Sequence, residues 1–161
     1  MEWVMKPQSD IVNQLNRVLT AELTSINQFF LHARIFKNWG LEALNSKAYK
    51  KSIKDMKQSD KLIERILLLE GLPNLQQLGR LKIGEHTLEM LECDLSVQLE
   101  QNTLLTDVIQ RCEDAGDYVS RDLLVEIMDY EQEYIDWLEA QLSLIENIGI
   151  ENYQQSMIDS E

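Results

Sequence analysis

The sequence predicts an all-α protein, an up-down-down-up four-helix bundle with one long crossover and a short fifth helix at its C-terminal end. Three observations point there. The glycines and prolines sit at Pro7, Gly40, Gly71, Pro73, Gly79, Gly84, Gly116 and Gly149, leaving four unbroken segments, 8–39, 41–70, 85–115 and 117–148. Each is about 30 residues, or about 45 Å if helical, whereas strands average about five or six residues. Apolar residues within the segments recur at three- and four-residue steps. The connections are unequal: about one residue joins segments one and two, and likewise three and four, while 71–84 is a 14-residue link. Short links make antiparallel hairpins, and the long link can run the length of a bundle.

Helices are expected at about 9–39, 41–70, 85–115, 117–148 and 150–158, within one domain spanning 1–161, with residues 1–8 flexible. In the first, Ile11, Leu15, Val18, Ile26, Phe29, Ala33 and Phe36 form the stripe, and Ser9 or Asp10 is the expected N-cap. The second carries a wide apolar face, Ile53, Met56, Ile63 and Leu67 together with Leu62, Ile66 and Leu69. Such width calls for two burial partners, the bundle core and something outside it. Gly71, backed by Pro73, is the expected left-handed cap of this helix. In the third, Leu88, Leu91, Leu95, Leu99, Leu105 and Ile109 recur, with Glu85 as an acid at the start. The fourth gives Val119, Leu123, Ile127, Tyr130, Leu138, Leu142 and Ile145, and Tyr153 and Met157 mark the fifth.

Composition narrows the class of function. The chain has 161 residues, 44% hydrophobic and 27% charged, so it can bury a core. A net charge of −13 argues against a nucleic-acid partner. No run of about 18 apolar residues is present and the N-terminus lacks a signal-peptide pattern, so a cytoplasmic protein without a membrane partner is expected. Cys93 and Cys112 lack metal-site spacing and are expected to be reduced.

The informative positions are polar residues that interrupt the apolar stripes. The series 15, 18, 22, 26, 29 puts Glu22 on the core face, and 127, 131, 134, 138 puts Glu131 and Tyr134 there. Gln98 faces inward on the third helix, and Asp55, Gln58 and Leu62 share a face of the second. Buried carboxylates that meet need a cation or protons. Two readings stay open from spacing: a hydrogen-bonded polar cluster, or a metal centre. A di-metal carboxylate bundle uses one Glu from each of two helices and Glu-x-x-His from each of the other two. Here the i, i+3 pairs are Asp55-x-x-Gln58 and Glu131-x-x-Tyr134.

Long strings resemble the bacterioferritins, a ferritin-like family: Ala21-Glu-Leu-Thr-Ser-Ile-Asn-Gln-Phe-Phe-Leu-His-Ala-Arg, Phe36-Lys-Asn-Trp-Gly, Ile63-Glu-Arg-Ile-Leu-Leu-Leu-Glu-Gly-Leu-Pro-Asn-Leu-Gln, Asp117-Tyr-Val-Ser-Arg-Asp and Ile135-Asp-Trp-Leu-Glu. The similarity runs from about Met5 to the C-terminus, leaving residues 1–4 outside it. The resemblance implies a hollow iron-storage shell of twenty-four subunits, b-type haem (iron protoporphyrin IX) at two-fold interfaces, and Fe(II) oxidation at an intrasubunit di-iron centre. Carried over position by position, the family's helix-one Glu ligand is Glu22 and its helix-four bridging Glu is Glu131. The helix-two bridging Glu falls on Asp55, the helix-two His on Gln58, the helix-three Glu on Gln98 and the helix-four His on Tyr134. Four of the six positions depart, and no imidazole remains to suit iron.

The resemblance places the axial haem methionine at Met56, one from each subunit of a two-fold pair, with Leu23, Ile26, Asn27, Phe30, Tyr49 and Ile53 lining it. The inner-surface iron site of some members falls on Lys50 and Lys54. Lys47, Lys50, Lys51, Lys54, Lys57 and Lys61 are six of the fifteen basic residues and read as one cationic face. Residues 1–82 carry 13 basic and 8 acidic side chains (+5), whereas 83–161 carry 2 and 20 (−18). His32 is expected to be structural, and Trp39 and Trp137 to pack near helix ends.

The function implied is that of a haem-binding bacterioferritin subunit with an impaired ferroxidase site. It would assemble as a homo- or hetero-oligomer of 24 subunits with a second, active chain, and take electrons from a small ferredoxin near Leu72-Pro73-Asn74-Leu75. The competing readings are an active ferroxidase using Glu22, Asp55, Glu131 and Tyr134, and a haem-carrying electron-transfer or structural cage.

Overall fold

The structure is a computed structural model that describes residues 7–159; the expectations for Met1–Lys6 fall outside it. Five helices follow one another: α1 (Pro7–Asn38), α2 (Glu42–Leu68), α3 (Thr87–Asp114), α4 (Tyr118–Ile148) and α5 (Ile150–Ser156). Helix α1 packs chiefly on α2 and α3 on α4, and contacts between α1 and α3 and between α2 and α4 close the bundle. This is the expected all-α ferritin-like arrangement with its long crossover.

The helix ends correct several expectations. Helix α1 is described from Pro7 onward. Asp10, one of the two expected N-caps, lies inside the helix, and its Oδ1 accepts from Gln14 Nε2 at 3.5 Å; the side chain of the other, Ser9, lies outside the described residues. At the end of α2 the left-handed residue is Glu70 (φ 63°), not Gly71. Gly71 is required for a different reason: a Cβ there would stand 2.5 Å from Val12 Cγ1. The cap of α3 is His86, whose Nδ1 accepts the Glu89 N–H at 3.3 Å. Helix α4 starts on Asp117, whose Oδ1 accepts the Ser120 N–H at 3.0 Å and the Arg65 guanidinium at 2.9 Å.

Two apolar clusters occupy the two ends of the bundle. One joins Phe29, Phe36, Leu44, Met90, Leu138 and Tyr153; the other joins Leu15, Leu19, Leu62, Ile66, Leu105 and Ile127. Helix α5 seals the first, with Tyr153 buried and its hydroxyl donating to Gln141 Oε1 at 2.8 Å. Along every long helix the residues between the two clusters are polar and buried: Glu22, Ser25 and Gln28 on α1, Lys51, Asp55 and Gln58 on α2, Asp94, Gln98 and Gln101 on α3, and Glu131 on α4. The buried face of α3 runs through Met90, Leu91, Asp94, Gln98, Gln101, Leu105, Val108 and Cys112. Leu99, and Val119 on α4, are exposed instead of joining the core.

Part of the polar layer anchors the crossover. His32 Nδ1 lies 2.8 Å from Asp94 Oδ1, which also accepts from Gln28 Nε2 at 3.0 Å. Gly84 N–H donates to His32 Nε2 at 3.3 Å and Lys82 N–H to Gln28 Oε1 at 2.8 Å. The imidazole thus accepts at Nε2 and donates from Nδ1 to Asp94. His32 is structural, and its partner Asp94 was not singled out from the sequence.

Candidate functional site

Glu22, Asp55 and Glu131 converge from α1, α2 and α4, each wholly buried, with one oxygen apiece inside a span of 4.8 Å. That is the compass of one cation's ligand sphere. An ammonium sits against two of them, Asp55 and Glu131. Lys51, one turn before Asp55 on α2, is 0% exposed and sets its Nζ 2.6 Å from Asp55 Oδ1 and 2.9 Å from Glu131 Oε2. Ser25 Oγ lies 3.5 Å from the same nitrogen and donates to Asp55 Oδ2 at 2.5 Å. The rings of Phe29 (4.8 Å to centroid), Tyr134 (5.4 Å) and Tyr130 (5.7 Å) surround the ammonium. Lys51 therefore does not belong to the exposed cationic face; Lys50, Lys57 and Lys61 do, with Lys47 and Lys54 half-buried at its edge.

Amides complete the cluster. Gln101 Nε2 donates to Glu22 Oε1 at 2.6 Å. In the amide orientation that satisfies its neighbours, the Gln58 nitrogen lies 3.1 Å from Glu22 Oε2 and 3.0 Å from Glu131 Oε1. Gln98 Nε2 lies 3.5 Å from Gln101 Oε1, while Gln98 Oε1 is buried without a hydrogen bond. Tyr134 is buried edge-on to Phe29, with ring centroids 5.3 Å apart. All six positions that the resemblance assigns to ligands are buried around mid-bundle, and three further polar residues join them. Lys51, Ser25 and Gln101 were missed from the sequence, although each continues a stripe already traced: four residues before Asp55, three after Glu22 and three after Gln98.

Burial dominates the electrostatics. It raises the Glu22 carboxyl well above the usual range, reinforced by Asp55 and Glu131 and only partly offset by Lys51. Glu131 is pushed up to about 7, chiefly by burial, against the pull of Lys51. Burial would strip the proton from Lys51, but Asp55, Glu131 and Glu22 together hold its pKa above the ordinary lysine value. Burial also lifts the Tyr134 phenol well above its ordinary value, with Asp94 adding to the effect. The cluster is therefore a lysine ammonium among carboxylates that share protons and amide donors.

A second feature lies on the opposite, outward face of α2. Met56 is 53% exposed, and Tyr49, Phe30 and Asn27 are exposed beside half-buried Leu23, Ile26 and Ile53 on the adjoining faces of α1 and α2. Phe30 and Tyr49 stand 6.3 Å apart, and the Arg34 guanidinium lies over both, 5.6 Å and 5.0 Å from their centroids. A soft thioether among apolar side chains is a donor set that suits haem iron.

Carboxylates converging from the long helices of an up-down-down-up bundle define a ferritin-like protein, and the ferritin-like domain matches residues 12–148. The chain is 40% identical over 151 residues to the bacterioferritin of Brucella melitensis, covering 94% of each chain. It is 38% identical to the bacterioferritin of Mycobacterium leprae over 96% of this chain and 97% of that one. It is also 40% identical to a bacterial ferritin of Synechocystis over 96% of this chain and 99% of that one. The chain belongs to the bacterioferritin family. Among the described residues no helix is long and apolar enough to cross a membrane.

Proposed function

We propose that this chain is the haem-binding, ferroxidase-deficient subunit of a cytoplasmic iron-storage shell of twenty-four bacterioferritin chains, built together with a ferroxidase-active second chain. The donor set at mid-bundle carries the reading. By the resemblance Glu22 and Glu131 stand at ligand positions, but Asp55 is a methylene shorter, Gln98 is neutral, and Gln58 and Tyr134 stand where the imidazoles would be. Gln58 and Gln98 offer only neutral amide oxygens, and burial raises the Tyr134 pKa so that it stays a phenol. Two irons held by bridging carboxylates and imidazoles do not suit these residues.

The outward face of α2 supports the other half of the reading. Met56 from each of two subunits would hold haem b on the two-fold axis, with Leu23, Ile26, Asn27, Phe30, Tyr49 and Ile53 as its walls. When bound, such a haem supplies one-electron transfer. Leu72, 83% exposed, belongs to the crossover near which a small ferredoxin would dock. Leu72→Glu is expected to weaken ferredoxin binding at least about tenfold, as loss of a buried apolar anchor does; equal affinity would remove this docking site.

The test of the whole is stopped-flow Fe(II) oxidation by the pure homomer. No fast saturable phase is expected. A comparison variant combines Asp55→Glu, Gln58→His, Gln98→Glu and Tyr134→His with Lys51→Met, and is expected to acquire one. A fast phase of two irons per subunit in the unmodified protein would establish an active ferroxidase instead.

A further inference from the structure

Of the six lysines on α2, five reach the surface or its edge and one does not. Lys51 sends its side chain inward, at no exposure, to three carboxylates whose nearest oxygens all lie within 4.8 Å. Its nitrogen is within 2.9 Å of two of them. An ammonium and a divalent cation use the same lone pairs, and the ammonium arrives tethered, so it acts at an effective concentration no free ion matches. A divalent ion entering beside it would meet a like charge in a fully buried space, where screening is weak. Deleting only the ammonium would leave three carboxylates with no cation, the state that draws one in.

We propose that Lys51 is the specificity-determining residue of this centre: its ammonium is the resident counter-ion that closes the centre to divalent metal, and the three carboxylates behind it form a latent site for one such ion. This rests on reading the centre as ferroxidase-deficient and goes further, since it makes one residue decide between a metal-free and a metal-binding core. Gln58 and Gln101 already direct amide groups at Glu22 and Glu131, and each has a carbonyl oxygen that a side-chain rotation would present to a metal. The latent site would be mononuclear, because Gln98 and Tyr134 offer no charged donor for a second ion.

Cobalt(II) is the probe, since its visible absorption reports coordination and it needs no oxidant. Assembled protein at neutral pH is titrated as the unmodified chain, Lys51→Met and the double variant Lys51→Met/Glu22→Gln. Surface acids bind weakly in all three. The expected result is a saturable absorption band at one Co(II) per subunit in Lys51→Met alone, at least about a hundredfold tighter than anything in the unmodified chain, the scale set by removing a buried like charge. A folded Lys51→Met that shows no such band would overturn the inference while leaving the ferroxidase-deficient reading intact. Fast iron oxidation by the unmodified homomer would overturn that reading itself.

Lys51→Gln, which keeps a hydrogen-bonding group, serves if Lys51→Met does not fold. The unmodified protein supplies an independent arm: its melting temperature is expected to respond to Co(II) no differently from that of Glu22→Gln. A stabilisation by Co(II) that Glu22→Gln abolishes would show that the native centre already takes metal, and would overturn the inference.

Discussion

Helix α2 presents two faces that differ in what they retain of the bacterioferritin pattern. Its outer face keeps Met56 among Tyr49 and Ile53, open to solvent and flanked by Phe30 of α1. Its inner face has Lys51 buried beside Asp55 and Gln58, the two α2 positions that the resemblance assigns to metal ligands. The two faces are separable because they answer to different neighbours. A thioether on the outer face needs only a partner surface, whereas each carboxylate on the inner face needs a cation or a proton in the same enclosed space. Once Lys51 enters that space, losing an imidazole or a carboxylate elsewhere in the layer no longer leaves the rest without a counter-charge.

The sharpest break of this comparison is at Met56. Met56→Leu is expected to abolish the haem absorption of the purified shell, with size-exclusion mass and helical content unchanged. Haem content equal to that of the unmodified protein would remove Met56 as the axial ligand. On the inner face the largest effect is expected at Lys51. Without added metal, Lys51→Met should lower unfolding free energy by about 3–5 kcal/mol, the cost of leaving buried charge uncompensated. Urea denaturation monitored by circular dichroism measures it, and a loss below about 1 kcal/mol would mean that protons alone satisfy the carboxylates.

A smaller effect is expected away from both faces, where the end of α2 meets the start of α4. Asp117 caps α4 and pairs with Arg65; partial burial raises its pKa, but the Ser120 hydroxyl and amide and the Arg65 guanidinium outweigh that and hold it below the usual value. A carboxyl depressed in the folded state contributes stability that is full above its unfolded pKa and lost as pH falls through its folded pKa. The stability difference between the unmodified protein and Asp117→Asn should therefore be no more than about 1 kcal/mol at neutral pH and vanish in acid. A difference independent of pH would assign the whole effect to packing.

Much of the architecture was legible beforehand because breakers and periodicity are local. Gly40, Gly116 and Gly149 end or join helices at positive φ of 80°, 73° and 84°, while the string from Ala21 to Arg34 carries Glu22 and the stripe 127, 131, 134, 138 carries Glu131. The mistakes share a cause. At Gly71 the sequence suggests a turn residue, but the close approach of Val12 from α1 is what requires glycine. On α3 the leucine at 99 fits the apolar series, yet Asp94 and Gln101 face inward beside the expected Gln98 while Leu99 is exposed. Asp94 finds His32 sixty-two residues away.

Lys51 is the plainest case. By composition it belongs with five neighbouring lysines, and a run of lysines on one helix reads as a solvated face. Its position four residues before Asp55 carried the signal, since residues 51, 55, 58 and 62 form one stripe. The sequence by itself determined the helices, their order, the family and the residues at the six ligand positions, because these depend on local propensity and on residue identity. Only the tertiary structure decided which charge fills the space between Glu22, Asp55 and Glu131. The free energy of a buried lysine depends on what two other helices, α1 and α4, place around it, and spacing along α2 does not specify that.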